Sequence, residues 1–573
     1  MTVLDPLVPR PIDLPTPIDG ELDRAKIIAA PDDPDDWPAW RDALSRWREA
    51  ARSGYDGSAY ARLTWTQSCF SVALVWLWDE LLYDHGAQRF TPERFLQDAE
   101  REFGGFDGLV LWHAYPVIGI DERNQFDWYR DVPGIRELVA AFQARGVRVF
   151  VDYNPWDVGT RREPVGDAAA VAELVRELGA DGVFLDTMKE AMPELRAALP
   201  DTAFEGESTL PLDRIADHHL SWAQWFADSP VPGVIRARWF EQRHMLHHTR
   251  RWNRSHIDEL RSAWLNGIGM LVWESVFGSW VGWSERDKAM LRGIVAVQRR
   301  HTHLLTHGEW TPLAFHSGDV SVVGSRWTDA EEELWALANL RDEPFAGDVA
   351  GVPLELPPLG LAAVWTCPGT VPGHVTFGGG DATYPARETV RVEARVVRSA
   401  EVPDGFVAVE PRPVRAVFRR RETGTYGEAP YVEEWKPLPP RLHDFVEVDR
   451  PAPRGPFAVA VREEPVLGLS LAEARAYAAE RGARLPTEDE WQLAAEHGLL
   501  DHSEPRIWNW TESEHSDGRT RFAILKGGSA YRAEGSDWYV DGGPQPPEFS
   551  LKLLLAGPLQ RSPRIGFRLA VDL

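Results

Sequence analysis

The fold is decided by ELVAAFQARGVRVFVDYNP (137–155) and AELVRELGADGVFLDTM (172–188), which each read as an amphipathic helix, a glycine and an apolar strand. Gly146 and Gly179 end the two predicted helices, because glycine readily adopts the left-handed conformation that terminates a helix. Two such units in series, each about as long as a βαβ unit, suit a (β/α)8 barrel. A doubly wound open sheet is the alternative, but no G-x-G-x-x-G motif follows the first predicted strand.

Apolar runs elsewhere in this region predict the remaining barrel strands. Seven strands can be placed, and an eighth is poorly marked. The predicted strands are Ser71–Trp78, Gly108–His113, Val147–Asp152, Gly182–Asp186, Thr202–Glu207, Gly233–Trp239 and Gly269–Glu274.

Changes in sequence character divide the chain into four parts. Residues 1–60 are rich in Pro, Asp and Trp and predict an extended arm and a short helix, and residues 61–310 hold the barrel. Residues 311–400 contain short alternating runs such as DVSVVGSRW (319–327), which predict an antiparallel β-sandwich. Residues 401–573 begin with a Pro/Arg-rich connector and continue into a C-terminal α+β domain.

The amino-acid composition argues against several classes of binding partner and site. The chain has 573 residues and a net charge of −26, which argues against nucleic acid or an anionic membrane surface as a partner. Two cysteines cannot build a disulfide framework or a four-thiolate zinc site. The N-terminus lacks the pattern of a signal peptide and no long apolar run follows, so we expect a cytoplasmic protein.

Acidic residues end several predicted strands. They are Asp152, Asp186, Glu205, Glu207 and Glu274. In a barrel these ends meet at one face, where a pair of carboxyl groups can serve as nucleophile and acid in glycoside cleavage. Other roles stay open: Asp186 could cap a helix, and either Glu205 or Glu207 could be the acid, since residues two apart share a strand face.

Neighbouring residues are candidates for contacts with the substrate. Glu274 could instead be a buried partner of Arg236 or Arg238. His244 and His248 have the i, i+4 spacing of a helical metal site, but no H-E-x-x-H motif accompanies them, and we predict neither metal nor cofactor. The predicted substrate-contacting residues are Trp112, His113, Tyr115, Asp152, Asn154, Trp156, Glu205, Arg236, Arg238 and Trp280.

Three segments of the predicted barrel resemble the alpha-amylase superfamily of glycoside hydrolases. FVDYNPWD (150–157) is similar to its region after strand three, DGVFLDT (181–187) to its nucleophile strand, and FEGE (204–207) to the site of its acid/base. The resemblance implies a retaining glycosidase for α-linkages, with Asp186 as nucleophile, Glu207 as acid/base and Glu274 as third carboxylate. The chain departs from the family pattern in the spacing of Asn154 from Asp152.

The C-terminal part resembles the formylglycine-generating-enzyme, or sulfatase-modifying factor, fold. The motifs are LGLSLAEARAYAAERGARLPTEDEWQLAA (467–495), IWNWTES (507–513), LKGGSAYR (525–532) and RIGFRLA (564–570), in the family's order. Catalytic members use cysteines to hold copper, whereas Cys69 and Cys367 lie outside this region. The resemblance therefore implies a module without oxidase chemistry, either a ligand-binding or docking module or a structural appendage.

Together these features predict a glycoside hydrolase that acts on an oligosaccharide or other glycoside. The alternative is a non-catalytic carbohydrate-binding or scaffold protein with a degenerate barrel.

Overall fold

The structure is a computed structural model that describes residues 27–117, 119–155, 160–207, 210–224, 232–249, 255–276, 279–280, 282–385, 387–419, 445–532 and 543–573. Within these residues the chain forms a barrel, a pair of antiparallel sheets and a C-terminal module (residues 390–573). No helix of this described part is long and apolar enough to cross a bilayer.

Eight parallel strands of the described residues close into a barrel, which confirms the predicted fold class. Each strand pairs with its neighbours in chain order, and the last pairs with the first. The strands are β1 (Ser71–Trp76), β2 (Gly108–Trp112), β3 (Arg148–Tyr153), β4 (Gly182–Leu185), β5 (Ala203–Glu207), β6 (Leu220–Gln224), β7 (Met245–Thr249) and β8 (Gly269–Val272).

Helices surround the barrel between these strands. Local sequence sets their ends: Pro92 and Pro193 open two helices at the first position, where proline needs no hydrogen-bond partner, and Gly179 ends a third with a left-handed φ of 68°. The helices are Pro92–Phe103, Asp127–Arg130, Ile135–Gln143, Asp167–Leu178, Pro193–Ala198, Arg236–Phe240, Ile257–Asn266, Glu285–Arg300 and Thr302–His307, preceded at the N-terminal side by Trp37–Ala51.

Strand register orders the interior of the barrel into layers. Asp152 pairs with Phe184 and Phe184 with Glu205, so these residues lie at one level. The ring of Phe184 stacks on Trp222 at 4.6 Å. Because side chains alternate along a strand, Asp186 and Glu207 face the same side one layer nearer the carboxyl ends of the strands.

The predicted strand Gly233–Trp239 is wrong. Val234–Ile235 pairs with Ile27–Ile28 outside the barrel, and a short helix, Arg236–Phe240, follows at once. The barrel instead uses β6 and β7, which the sequence analysis missed because their runs LSWAQ and MLHHT interrupt apolar residues with polar ones.

Two antiparallel sheets follow the barrel, as expected of a sandwich. A five-stranded sheet and a hairpin pack around a core that includes Val322, Leu337 and Leu354. The strands are Glu309–His316, Val322–Thr328, Glu333–Asn339, Leu361–Thr366 and Gly373–Phe377 in the first sheet, and Phe345–Val349 and Val352–Leu356 in the hairpin.

The described residues of the C-terminal module form two α-helices and two main sheets. Helices Leu471–Glu480 and Glu488–Glu496 each begin with a capping box, the second one formed by Thr487 and Glu490. The strands are Val390–Arg391, Phe406–Val409, Val414–Arg419, Phe445–Arg450, Phe457–Ala460, Trp508–Ser516, Arg521–Lys526, Gly528–Ser529, Gly543–Pro544, Phe549–Leu554, Ile565–Phe567 and Ala570–Asp572.

This module docks on the carboxyl-end face of the barrel. Arg519, in the turn before strand Arg521–Lys526, donates from Nε to both oxygens of Asp79 at 2.8 and 2.9 Å. The Nη1 atom of Arg519 donates to Glu274 Oε2 at 3.2 Å, and Arg521 pairs with Glu80 at 2.7 Å. Because Asp79 and Glu80 follow β1 and Glu274 follows β8, the module contacts the rim beside these two adjacent strands.

Candidate active site

Asp186 and Glu207 lie at the ends of neighbouring strands, where both side chains are half-buried. The Tyr115 hydroxyl donates to Asp186 Oδ2 at 3.0 Å, and Asn154 Nδ2 donates to the same oxygen at 2.8 Å. The Thr187 N–H donates to Glu207 Oε2 at 2.7 Å. The residue after Asp186 thus holds Glu207, so the two carboxyl groups are fixed relative to each other.

Gly206 explains how β5 accommodates the loop that follows β4. A Cβ atom at this position would lie 2.1 Å from the Lys189 carbonyl oxygen, so that the loop could not cross the strand. The Glu207 N–H donates to the Met188 carbonyl at 2.7 Å. The glycine of the FEGE motif therefore allows the close contact that brings Thr187 to Glu207.

Asp152 lies behind these two groups. Its side chain is 1% exposed, and neither carboxyl oxygen has a hydrogen-bond partner among the described residues. Burial raises the pKa of Asp152 well above its usual range, and the charges of Asp186 and Glu207 raise it further. His113 Nε2 lies 3.9 Å from Asp152, and burial lowers the pKa of His113 to about 3. Burial thus favours the uncharged form of both Asp152 and His113.

Three residues at this rim have a strained backbone conformation. Ala114, Tyr115 and Thr187 have φ values of 50°, 54° and 63°, in the left-handed region that residues other than glycine rarely adopt. Such conformations cost about 1–3 kcal/mol each and cluster at functional sites. Here they aim the Tyr115 hydroxyl at Asp186 and the Thr187 N–H at Glu207.

Replacing Thr187 with glycine should stabilise the fold by about 1 kcal/mol, because a β-branched residue is strained at positive φ and glycine is not. Urea unfolding monitored by fluorescence measures the change. Thr187→Val is the matched control, since valine keeps the strain and removes only the hydroxyl that donates to Asn154 at 3.4 Å. Equal stability of the two variants would contradict the assignment of strain to this residue.

Glu205 lies deeper in the barrel than the sequence analysis expects of a substrate contact. It is fully buried, and its Oε1 lies 2.6 Å from His247 Nδ1. The other ring nitrogen of His247 donates to the Cys69 carbonyl at 2.7 Å. Burial alone would lower the pKa of His247, but the Glu205 carboxylate raises it. The two residues form an ion pair inside the barrel.

Glu274 does not join Asp186 and Glu207. The sequence analysis assigned it to strand seven, whereas it follows β8 and binds Arg519 of the C-terminal module at 3.2 Å. Burial raises the pKa of Glu274, and Arg519 opposes that shift. Its expected partners Arg236 and Arg238 lie elsewhere, so the expectation of three carboxylates at one site is corrected to Asp186, Glu207 and the buried Asp152.

The two arginines occupy structural positions on the helix Arg236–Phe240. Both are buried. Arg236 donates to the Leu210 carbonyl, and Arg238 donates to the carbonyls of His244 and Leu305 at 3.0 Å each. Arg238 thus connects two backbone segments next to the barrel. Because it is fully buried, a substrate cannot reach it.

The aromatic candidates occupy three kinds of position. Trp112 is buried and packs edge to face on Trp273 at 5.3 Å inside the barrel. The guanidinium of Arg387 lies over the ring of Trp280, 4.4 Å from the ring centroid. Trp156 lies outside the described residues. Tyr115 therefore remains the aromatic candidate whose described contacts include a carboxylate of the site.

His244 and His248, which have the i, i+4 spacing of a helical metal site, do not lie together on a helix. His248 lies on β7, and His244 hydrogen-bonds the Tyr60 hydroxyl at 2.9 Å and the Ser221 hydroxyl at 2.8 Å. No group of three or more His, Cys, Asp or Glu side chains is arranged to hold a metal ion in the described part of the chain.

The sequence analysis missed two residues that shape the site. Thr187 acts through its backbone N–H, and Gln125 holds the Asn154 segment by accepting from its N–H at 3.0 Å and donating to its carbonyl at 2.7 Å. No residue-type pattern marks the role of Gln125, whereas the DT pair after a strand was the available signal for Thr187.

The C-terminal module matches a known family. Residues 442–506 match the sulfatase-modifying factor enzyme 1-like domain. The match confirms the resemblance stated from the sequence. Cys69 and Cys367 lie outside this sulfatase-modifying-factor-like domain.

Curated relatives match the same kind of domain. A mouse protein named inactive C-alpha-formylglycine-generating enzyme 2 is 30% identical in an alignment of 172 residues. The alignment covers 25% of this chain and 56% of the relative. A bovine protein of the same name is 52% identical over 50 residues, 8% of this chain and 16% of the relative. The chain thus spans about half the length of the mouse relative.

Solved structures align with about half of the chain. A noncanonic maltogenic alpha-amylase from Thermotoga neapolitana aligns with a TM-score of 0.36 and 10% identity over 52% of this chain and 88% of its own. A cyclic alpha-maltosyl-(1→6)-maltose hydrolase from Arthrobacter globiformis aligns with a TM-score of 0.35 and 12% identity over 53% and 100%.

Proposed function

We propose that this protein is a retaining glycoside hydrolase in which Asp186 is the nucleophile and Glu207 the acid/base. The observation that carries the proposal is the pairing of these half-buried carboxyl groups on adjacent strands through the Thr187 N–H. Specificity for an α-linked saccharide rests on the resemblance of segments 150–157, 181–187 and 204–207 to the alpha-amylase superfamily.

The strand geometry favours retention over inversion. Leu185 pairs with Gly206, so Asp186 and Glu207 leave equivalent positions on adjacent strands. The backbones of neighbouring strands lie about 4.8 Å apart, which allows the two carboxyl groups to reach the separation of about 5–5.5 Å found in retaining enzymes.

The proposed reaction proceeds in two displacements. An Asp186 oxygen attacks the anomeric carbon while the glycosidic C–O bond breaks, and Glu207 gives its proton to the leaving oxygen. Glu207 then takes a proton from water, whose oxygen attacks the anomeric carbon and releases Asp186. Tyr115 and Asn154 orient the attacking carboxylate through their bonds to Oδ2.

The proposal is tested by a screen of aryl α-glycosides and natural oligosaccharides, with the first-formed anomer followed by proton NMR. Retention of configuration supports the proposal, and inversion would contradict the nucleophilic role of Asp186. Binding of a saccharide without turnover would favour the alternative of a carbohydrate-binding protein.

Glu207→Gln should lower the turnover of glycosides with poor leaving groups by about 10²–10⁴-fold, because proton transfer to the leaving oxygen is lost. Aryl glycosides with acidic phenols need little protonation and should be cleaved at the first step almost normally. Rates plotted against the pKa of the leaving group measure the difference.

Glu205→Gln is the comparison variant for this test. It should lower stability by breaking the buried pair with His247, without making the rate depend more strongly on the leaving group. A leaving-group dependence that arises in Glu205→Gln and not in Glu207→Gln would reverse the assignment of the acid/base.

A further inference from the structure

A cavity of about 250 Å³ lies between the barrel and the C-terminal module, and it shares no lining residue with the candidate active site. Its barrel wall is the turn between the short strands Tyr83–Asp84 and Arg89–Phe90. Domain interfaces are frequent places for small-molecule sites. The lining of this cavity includes His85, Arg395, Arg475, Glu514, Arg521 and Gln560.

Three arginines supply hydrogen-bond donors to this interdomain cavity, against one glutamate in its lining. Arg475 pairs with Glu512 at 3.1 Å and with Glu514, and Arg521 pairs with Glu514 at 3.1 Å and with Glu80.

Arg395 is exposed at the rim, and its guanidinium makes no hydrogen bond to the described residues, although its charge opposes the rise that burial causes in the pKa of Glu512. A guanidinium carries five N–H donors in a fork that fits a carboxylate or phosphate. Arg395 is therefore the cation of this lining that is available to an anionic ligand.

Two lining side chains supply acceptors instead. His85 donates from Nε2 to the Trp78 carbonyl at 3.1 Å, which leaves Nδ1 as an acceptor because burial lowers the pKa of His85 and keeps the ring neutral. Gln560 is fully buried and donates from Nε2 to the Leu554 carbonyl at 2.7 Å. Neither His85 Nδ1 nor Gln560 Oε1 has a partner in the described part of the chain.

Hydroxyl groups of a ligand can donate to this pair of acceptors. An anionic group of the same ligand can accept from the Arg395 guanidinium. The two features together favour one chemical class.

We propose that the interdomain cavity binds a small hydroxylated oxyanion, a sugar acid or a sugar phosphate, between Arg395 and the acceptors of His85 and Gln560. The oxyanion accepts from the arginine, and the hydroxyls donate to Nδ1 and Oε1. This site is independent of the proposed glycosidase activity.

The test is isothermal titration calorimetry of the full chain at constant ionic strength. The anionic probes are glucuronate and glucose 6-phosphate, which distinguish the two sources of the oxyanion. Glucose lacks the charge and acetate lacks the hydroxyls. We expect at least one of the anionic sugars to bind about tenfold or more tightly than both glucose and acetate.

Arg395→Gln should weaken binding of the anionic sugar about tenfold, whereas Arg454→Gln, at a side chain that is 91% exposed, should leave it unchanged. Asp186→Asn should also leave it unchanged, which separates this site from the candidate active site. The proposal is overturned if neither anionic sugar binds, if glucose or acetate binds equally well, or if Arg395→Gln binds like the wild-type chain.

Discussion

Asp186→Asn is expected to abolish glycoside cleavage, with a loss of about 10⁴-fold or more in kcat on any substrate found for the wild-type chain. An amide oxygen cannot form the glycosyl–enzyme ester on which the double displacement depends. Asparagine has the volume of aspartate and can still accept from Tyr115 and Asn154, so thermal unfolding should change little.

The charges at the site also affect the expected stability of Asp186→Asn. Asp186 is one of the two charges that raise the pKa of the buried Asp152, so its removal lowers the cost of ionising Asp152. The variant should therefore be as stable as the wild-type chain or slightly more stable at pH 7.

Azide with Asp186→Ala provides the control, since the truncated side chain leaves room for a small anion to attack the anomeric carbon in place of the missing carboxylate. An α-glycoside should then yield the β-glycosyl azide, identified by NMR. Full activity of Asp186→Asn without azide would remove the assignment of the nucleophile.

The sequence predicted the barrel because its central units repeat one local pattern. In β3 and β4 the strand is apolar, a glycine ends the preceding helix, and the carboxylate follows the last apolar residue. Asp186 and Glu207 were found in this way, since position along a strand decides which side chain reaches the rim.

The same method failed where polar residues face the interior. His247 of β7 lies inside the barrel because Glu205 neutralises it, and a sequence pattern does not reveal such a pair. Without β6 and β7, the strand Gly269–Val272 was taken as the seventh, and Glu274 received the role of a third carboxylate. The wrong strand count therefore led to the wrong placement of Glu274 in the site.

Contacts between distant segments could not be predicted either. Arg519 lies 440 residues from Asp79 and 245 from Glu274 along the chain, and only the docked module brings them together. The family resemblance of the C-terminal region indicates its fold and carries no information on which barrel rim it contacts.

Arg519→Met is expected to lower the free energy of unfolding by about 3–5 kcal/mol, because it leaves the buried carboxylates of Asp79 and Glu274 without their cation. Arg519 is 8% exposed, and although burial alone would lower its pKa, these carboxylates raise it. Urea unfolding at pH 7 measures the loss. Arg454→Met, at an exposed position, is the matched control and should change little.

The loss should depend on pH in a defined direction. Burial already raises the pKa of Glu274, and Arg519 opposes that shift, so the pKa rises further in Arg519→Met. An acid whose pKa is raised in the folded state destabilises the fold above its unfolded pKa of about 4.3, and protonation on lowering the pH relieves the cost. The deficit against wild type is therefore largest at neutral pH and shrinks toward acid.

Neutralising the stranded carboxylates should restore stability. The triple variant Arg519→Met, Asp79→Asn, Glu274→Gln removes the buried charges together, and it should recover most of the loss, since a buried ion pair contributes far less than the cost of breaking it. If the single variant is as stable as wild type, or the triple variant is no better than the single one, this cluster is not what holds the module on the barrel.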